Sequence, residues 1–378
     1  MTLTPFGHGL GVKAFGPRTG GVGSGGGGTR STLPVNTVAP AVTGTATKGQ
    51  ILTTTDGTWT GTPVPTLTYQ WRRAAVDIAG ETNSTYTLAV ADRGAAIDCV
   101  VTATNAAGAV TADSNDILCS TGLDFSIASV CCDLDATIAA SYTSGQTWAN
   151  LIAAPADGAA QTDYDFWLGA GSGASTDDPT FTGTAGAPAA YFLHDGGDFF
   201  TIKNVANPVT IYNMHKKTGG TNSWWVAFAV YRPTAANTFW GRGWTGATHG
   251  MYLYNAGNAL YQDHTGGITL LSGSGTTANA NNLHIVSVDM EGTTNNVRHW
   301  SNSTTKTSWS KTWTSDSVNT TKAFIIGGTV TSADVIQDKV ANTTRYYHFS
   351  AGNAFIDDAQ AADIFAHLEA RHSRDYTP

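Results

Sequence analysis

Aromatic rings set beside guanidinium, imidazole and carboxylate groups recur along the second half of this 378-residue sequence. Such groupings suit carbohydrate, because sugar C–H faces stack on rings and sugar hydroxyls need planar hydrogen-bonding partners. Trp240, Arg242 and Trp244 make one group, Tyr252 and Tyr254 a second, and Trp309 and Trp313 a third. The last two are four residues apart, so a strand carries both on one face. Tyr261, Asp263 and His264 precede a glycine pair. With eleven tryptophans in all, some of these rings are expected at the surface rather than in a core.

Hydrolytic chemistry is thinly represented. A retaining glycosidase needs two carboxylates about 5–5.5 Å apart, which on a strand means alternate positions. Asp289 and Glu291 have that spacing, but Glu291 abuts Gly292 and reads as the start of a hairpin turn. Asp177 and Asp178 are adjacent and fall in a loop; Asp357 and Asp358 are adjacent at a helix start. No G-x-S-x-G, H-E-x-x-H or phosphate-binding loop occurs, and GSGGGG lacks the Lys-Ser/Thr that would hold a nucleotide. The ten histidines are dispersed, and His367 and His372 miss the spacing of ligands on one helix face. Cys99, Cys119, Cys131 and Cys132 form no C-x-x-C pair, and adjacent residues of a strand point to opposite faces. They read as buried thiols, and no catalytic residue is expected.

These groups need a scaffold of short strands and many turns. Only 13% of residues are charged, while Thr, Gly, Ala and Asn are abundant. Thr favours pleated strands, and Gly and Asn favour the turns between them. The net charge of −8, with no basic run, argues against nucleic acid as a partner. The first sixteen residues have neither the charged nor the apolar region of a signal peptide, and no apolar stretch reaches the roughly 20 residues that span a bilayer. Residues 1–33 carry eleven glycines between Gly7 and Gly28. They read as an anchor or linker whose apolar contacts are Phe6, Leu10, Val12 and Phe15.

From Leu33 onward, strand-like segments recur: GQILTTTDGTW, LTYQWRR, STYTLAV, AIDCVVTATNAAG and AVTADS. Leu67, Tyr69 and Trp71 share one face by period two, as do Ile97, Cys99 and Val101. Residues 34–118 resemble the bacterial and phage immunoglobulin-like repeat, with Trp71 matching the core tryptophan of its third strand. Cys99 matches the second bridging cysteine, but the strand around Leu52 offers no partner. The D-x-G-x-Y-x-C corner reads Asp92, Gly94, Ile97 and Cys99, so its tyrosine is missing.

Residues 119–378 resemble the concanavalin A-like, laminin-G-type jelly roll. DLDATIAASYTSGQTWANLI matches its opening segment, and Tyr191-Phe192 with the following HDGGDFFTI matches one of its strands. WWVAFAVYRP matches the buried strand, FWGRGW the hairpin after it, LHIVSVDMEGTTNNVRHWSN a late hairpin turning at Glu291-Gly292, and AFIIGG the closing segment. A terminal helix is expected after Asp357 or Asp358, with Ala361, Ile364, Phe365 and Leu368 on its apolar stripe. The resemblance implies two further possibilities. Laminarinase-type relatives carry E-x-D-x-x-E, whose third acid is absent beside Asp289 and Glu291. Related domains also bind calcium through loop carboxylates, for which Asp195 and Asp198 are the candidates and Asp263 a third.

The sequence therefore predicts an all-β chain: an immunoglobulin-like β-sandwich, then a concanavalin A-like jelly roll with one C-terminal helix. The resemblance to phage fibre proteins implies a virion component, such as a tail or head fibre or decoration protein, exposed on the particle after assembly in a host cytoplasm. Its expected partners are other virion proteins, met through residues 1–33, and host-surface polysaccharide. A homo-oligomer is expected, a trimer by family analogy, with no resident cofactor other than calcium. Two other readings are a secreted bacterial polysaccharide-binding lectin and a glycan hydrolase.

Overall fold

Alternating apolar and polar residues along Thr66–Arg73 and Ala96–Asn105 make each strand wet on one face and dry on the other. They pair antiparallel, with Trp71 opposite Cys99. The computed structural model describes residues 30–120, 122–127, 129–203, 223–232, 237–242, 251–256, 259–264, 267–271, 280–289, 294–312, 324–327, 329–330, 336–337 and 343–376. Among them the fold is all-β, with strands in several sheets and a single α-helix, Asp358–His372. The anchor residues Phe6, Leu10, Val12 and Phe15, together with Trp244, Glu291 and Trp313, lie outside the described residues.

The strands up to Leu118 form two facing sheets and a separate ribbon. One sheet runs Ile117–Leu118, Ala96–Asn105, Thr66–Arg73, Val76–Asp77, with Gly108–Asp113 also paired to Ala96–Asn105. The other runs Val42–Thr43, Ile51–Thr54, Thr85–Thr87. Val42, Leu52 and Tyr86 from the second pack on Trp71, Ile97 and Cys99 from the first. The ribbon pairs Thr32–Val38 with Thr58–Thr62. All four cysteines are buried thiols, as their placement in the sequence suggests.

The hydroxyl missing from the corner motif is supplied by a neighbouring strand. Ile97 belongs to the core, while Tyr86 Oη donates to Asp92 Oδ2 at 2.8 Å. Arg73 Nε donates to Asp92 Oδ1 at 2.6 Å, and the Ala89 amide to Oδ2 at 2.7 Å. The Tyr86 ring lies 5.5 Å from that of Trp71, so the polar lock sits against the apolar centre. Burial and the adjoining carboxylate push the Tyr86 hydroxyl up to about 12.

Beyond residue 130, two eight-stranded sheets enclose a second, larger core. The first runs Thr180–Thr182, Tyr191–Leu193, Arg345–Gly352, Trp224–Arg232, Ala280–Asp289, Thr294–Ser301, Thr307–Thr312, with Val130–Asp135 also paired to Arg345–Gly352. The second runs Thr147–Trp148, Phe166–Leu168, Phe200–Ile202, Phe324–Ile326, Asn237–Arg242, Met251–Ala256, Ala259–His264, Gly267–Leu271. Trp148, Phe166, Phe192, Phe200, Phe324 and Phe349 pack together between them. The other face of the first sheet presents Trp225, Ala227, Ala229, Leu283 and Ile285 to the helix residues Ala361, Ile364, Phe365 and Leu368. Both faces of the strand are therefore dry from Trp224 to Val230, an uninterrupted buried run. Gly352 lets Trp225 approach the backbone, since a Cβ there would overlap the indole and the Ser129 carbonyl.

Two expected pairings differ. Tyr191–Leu193 and Phe200–Ile202 are not one strand: the chain crosses between sheets through Asp195–Asp198. Asn237–Arg242 does not form a hairpin with Trp224–Arg232; it lies in the opposite sheet, between Phe324–Ile326 and Met251–Ala256. Phe324–Ile326 is an interior strand, and the central strand Arg345–Gly352 went unrecognised. Crossing between sheets after each apolar run is what a jelly roll requires, and local pattern does not encode it.

Asp92→Ala should destabilise the protein by about 3 kcal/mol, because it removes one buried carboxylate from the Tyr86 hydroxyl, the Ala89 amide and Arg73 together. Urea denaturation is the check, and a loss below about 0.5 kcal/mol would show the lock to be inert.

Candidate functional site

Two constellations in the second sandwich contain enough chemistry to be weighed as sites. One is sealed and the other is open.

The sealed one joins the helix to the sheet. Asp133 and Asp135 alternate on Val130–Asp135 and so share a face. Arg371 and His372 occupy the last turn of the helix, where cationic side chains are favoured. Arg371 Nη1 donates to Asp135 Oδ2 at 2.9 Å and to Asp133 Oδ1 at 3.1 Å, and Nη2 donates to Asp133 Oδ2 at 3.2 Å. His372 Nε2 lies 3.1 Å from Asp135 Oδ2, and its Nδ1 lies 2.7 Å from Tyr376 Oη. His348 Nδ1 lies 3.3 Å from the same Asp135 oxygen, and its Nε2 lies 2.8 Å from Ser350 Oγ. The other Asp135 oxygen accepts from the Thr137 amide at 2.8 Å. Sequence spacing alone missed this convergence, because the residues come from three distant segments.

Asp135, His348 and His372 have the donor types and proximity of a metal site. A guanidinium already supplies the cation, however, and all three residues are fully buried. The cluster is best described as a clasp. Burial alone would raise the Asp135 pKa, but His372 and Arg371 hold it well below the usual carboxylate range. Burial depresses His372 against the pull of Asp135, and burial together with Arg371 and Arg93 depresses His367. The clasp continues into loops of the first sandwich: Arg93 meets His367 Nδ1 and Ser126 Oγ, and Lys48 pairs with Asp363.

The open constellation is a groove of about 330 Å³ on the helix-facing side of the first sheet, at its edge. Register places Asn296 opposite Ser310 and Arg298 opposite Ser308, so all four share a face. Ser310 Oγ donates to Asn296 Oδ1 at 2.7 Å. The Arg298 guanidinium lies over the Phe355 ring, 3.9 Å from its centre, and its Nη1 donates to the Ile356 carbonyl at 2.6 Å. Lys306 pairs with Asp358, which also accepts from Trp300 Nε1 at 3.1 Å. The helix start is set by Asp357: its carboxylate accepts from the Gln360 amide at 2.8 Å, and the Gln360 side chain accepts from the Asp357 amide at 3.1 Å.

Of the groups read from the sequence, Trp240, Arg242, Tyr252, Tyr254, Tyr261, Asp263, His264 and Trp309 fall on described strands, though their side chains lie outside the described set. In the second sheet, Trp240 stands opposite Leu253, Tyr252 opposite Gly241, and Tyr254 opposite Thr238 and Tyr261. Arg242 pairs with Met251, Asp263 with Ile268 and His264 with Gly267. Trp309 stands opposite Val297 at the edge of the first sheet, next to the groove residues. Asn296, Arg298, Ser308, Ser310 and Phe355 were not singled out in the sequence. Polar alternation in NNVRHW and TSWSKT was the available signal.

Asp195 and Asp198 sit in one turn at the crossing between sheets. Asp198 Oδ2 accepts from the Asp195 amide at 2.8 Å, and its buried Oδ1 has no hydrogen-bond partner. Burial pushes the Asp198 carboxyl up to about 7. Asp263 does not join them: its strand lies four positions from Phe200–Ile202 in the same sheet, roughly 19 Å at about 4.8 Å per strand.

No family model matches the chain, and no curated protein matches it. Among solved structures, the botulinum neurotoxin serotype C1 binding domain is similar at 12% identity, with a TM-score of 0.31 over 45% of this chain and 40% of that one. The binding domain of botulinum neurotoxin DC in complex with SialylT is similar at 12% identity and TM-score 0.34, over 64% and 52%. Domain 4 of AbnA, a GH43 extracellular arabinanase from Geobacillus stearothermophilus, in complex with arabinotriose, is similar at 10% identity and TM-score 0.36, over 62% and 98%. The chain thus spans about half or less of the two toxin domains, and likeness this slight carries no functional argument.

Arg371→Met should cost about 3–5 kcal/mol, because it leaves Asp133 and Asp135 buried without their cation; chemical denaturation measures the loss. The pH profile has a definite sign. His194 and His299 are depressed by burial to about 3, and His367 and His372 are depressed as well. Their stabilisation is full above about pH 6.5 and is lost as pH falls toward their folded values. Unfolding free energy should therefore decline below about pH 6.5, and His299→Gln should flatten the decline.

Proposed function

We propose that this chain is a non-catalytic, carbohydrate-binding adhesion protein whose second sandwich holds glycan in the groove around Arg298. The groove carries the reading. It combines amide, hydroxyl and guanidinium donors with an aromatic ring in an open concavity, and its volume is in the range of small-ligand sites, which begin at roughly 300 Å³. The nearby carboxylate, Asp358, is tied to Lys306 and Trp300, and retaining hydrolysis would need two facing acids. That favours binding over cleavage.

The finer reading is a bacteriophage particle component, with residues 1–33 docking on a neighbouring virion protein, the immunoglobulin-like sandwich acting as spacer, and the jelly roll meeting host polysaccharide. Its support is the glycine-rich leader and the sequence resemblance to fibre proteins. Many copies on one particle would make a weak individual site sufficient. Mass spectrometry of purified virions tests this context. Absence of the chain from them would leave the same groove on a bacterial polysaccharide-binding module.

A calcium ion at Asp195 and Asp198 belongs to the same proposal. The orphaned Asp198 oxygen and the second carboxylate of its turn fit a hard cation that takes oxygen ligands. Without a cation, the raised Asp198 pKa contributes stability below about pH 4 that is lost as pH rises through about 7. Asp198→Asn should therefore raise the melting temperature at pH 8 and leave it unchanged at pH 4. Calcium should raise it at pH 8 in the parent protein and not in the variant; no response to calcium in either would remove the ion from the proposal.

The groove itself is tested by titrating the full chain with a panel of bacterial surface polysaccharides. Ser310→Trp, on the exposed edge strand, should abolish binding by filling the groove while leaving the melting temperature within about 2 °C. Unchanged binding by Ser310→Trp, with loss on Trp240→Ala or Tyr254→Ala, would move the site to the second sheet.

A further inference from the structure

The groove is basic on an acidic protein. The chain carries a net charge of −8, yet none of the groove's lining residues is acidic. Two of them, Arg298 and Lys306, are cations with different circumstances. Lys306 is neutralised by Asp358. Arg298 has no carboxylate within ion-pair distance among the described residues, and it is held in place by the Phe355 ring and the Ile356 carbonyl. One N–H of its fork is used by that carbonyl, and the same groove is lined by the amide of Asn296 and the hydroxyls of Ser308 and Ser310.

We infer that the groove selects carboxylate-bearing glycans, with Arg298 reading the carboxylate of a uronic or similar acidic sugar and Asn296, Ser308 and Ser310 reading its hydroxyls. The inference rests on the carbohydrate-binding reading above and narrows it to a ligand class. A guanidinium presents parallel N–H donors that match the two oxygens of a carboxylate, which a lysine cannot do. Stacking on Phe355 removes rotamer freedom from Arg298 before any ligand arrives, so little of the binding free energy is spent on ordering it. Neutral sugars offer Arg298 no charged acceptor beyond the Asp358 carboxylate whose pKa it already helps to lower, so they should bind more weakly.

The test uses the full chain and three probes in calorimetric titrations: an oligogalacturonate, the same oligomer with its carboxyl groups reduced to alcohols, and a sulfated galactan oligomer. The expected result is binding of the oligogalacturonate, at least about tenfold tighter than its reduced counterpart, and weakening as salt rises from about 0.05 M to about 0.5 M. Arg298→Gln should remove that preference, while Arg298→Lys should retain part of it. Because Arg298 also holds Ile356, Ser308→Asp provides a second variant: it places a like charge on the exposed strand face and should repel the acidic oligomer with no change in melting temperature. Equal binding of the acidic and reduced oligomers overturns the inference and leaves carbohydrate binding standing. Binding of the sulfated oligomer alone overturns the carboxylate class. Failure to bind any of the three, or any polysaccharide of the panel, overturns the inference and the carbohydrate-binding reading together.

Discussion

One buried guanidinium organises the second sandwich. Arg371 bridges Asp133 and Asp135, and those carboxylates are acceptable inside the protein because of it. The same contact fixes the last turn of the helix over the strand Val130–Asp135, and the helix in turn covers Trp225, Ala227 and Ala229. Removing the helix would bare an apolar sheet face, so the ion pair and the hydrophobic layer depend on each other. His348 and His372 complete the clasp, each placing a ring nitrogen against the same Asp135 oxygen.

The first sandwich solves a similar problem with different residues. Its buried carboxylate, Asp92, is met by Tyr86 and Arg73 beside the Trp71 core. The two locks are linked through Arg93 and Lys48, which reach His367 and Asp363 on the helix. The helix therefore contacts strands of one sandwich on one side and loops of the other on another. The Lys48–Asp363 pair is partly buried and ties that loop to the helix.

Much of the first sandwich was legible from period two: Trp71, Ile97, Cys99 and Val101 are buried as their alternation requires. The helix was legible too, since Ala361, Ile364, Phe365 and Leu368 repeat at helical spacing after a capping Asp357. The Arg345–Gly352 strand was not, because both of its faces are buried and RYYHFSAG shows no alternation. The crossing between sheets at Asp195–Asp198 reads locally as a plain Asp-Gly turn. The clasp escaped because Asp133, His348 and Arg371 carry no short-range signal. The groove escaped for another reason: its residues are common polar types, distinguished only by which strands the fold sets side by side.

The clasp also orders events in time. Asp133 and Arg371 are 238 residues apart in sequence. At about 5–20 residues per second, a ribosome needs on the order of ten to fifty seconds to supply the second after the first. During that interval Asp133 and Asp135 lack their cation, the helix-facing sheet surface is uncovered, and the central strand Arg345–Gly352 is also missing for most of it. The second sandwich can close only after synthesis has passed Arg371, whereas every strand of the first sandwich has been made long before. The nascent chain thus emerges as a folded module trailing an open, strand-rich segment, which is the state in which a chaperone would meet it.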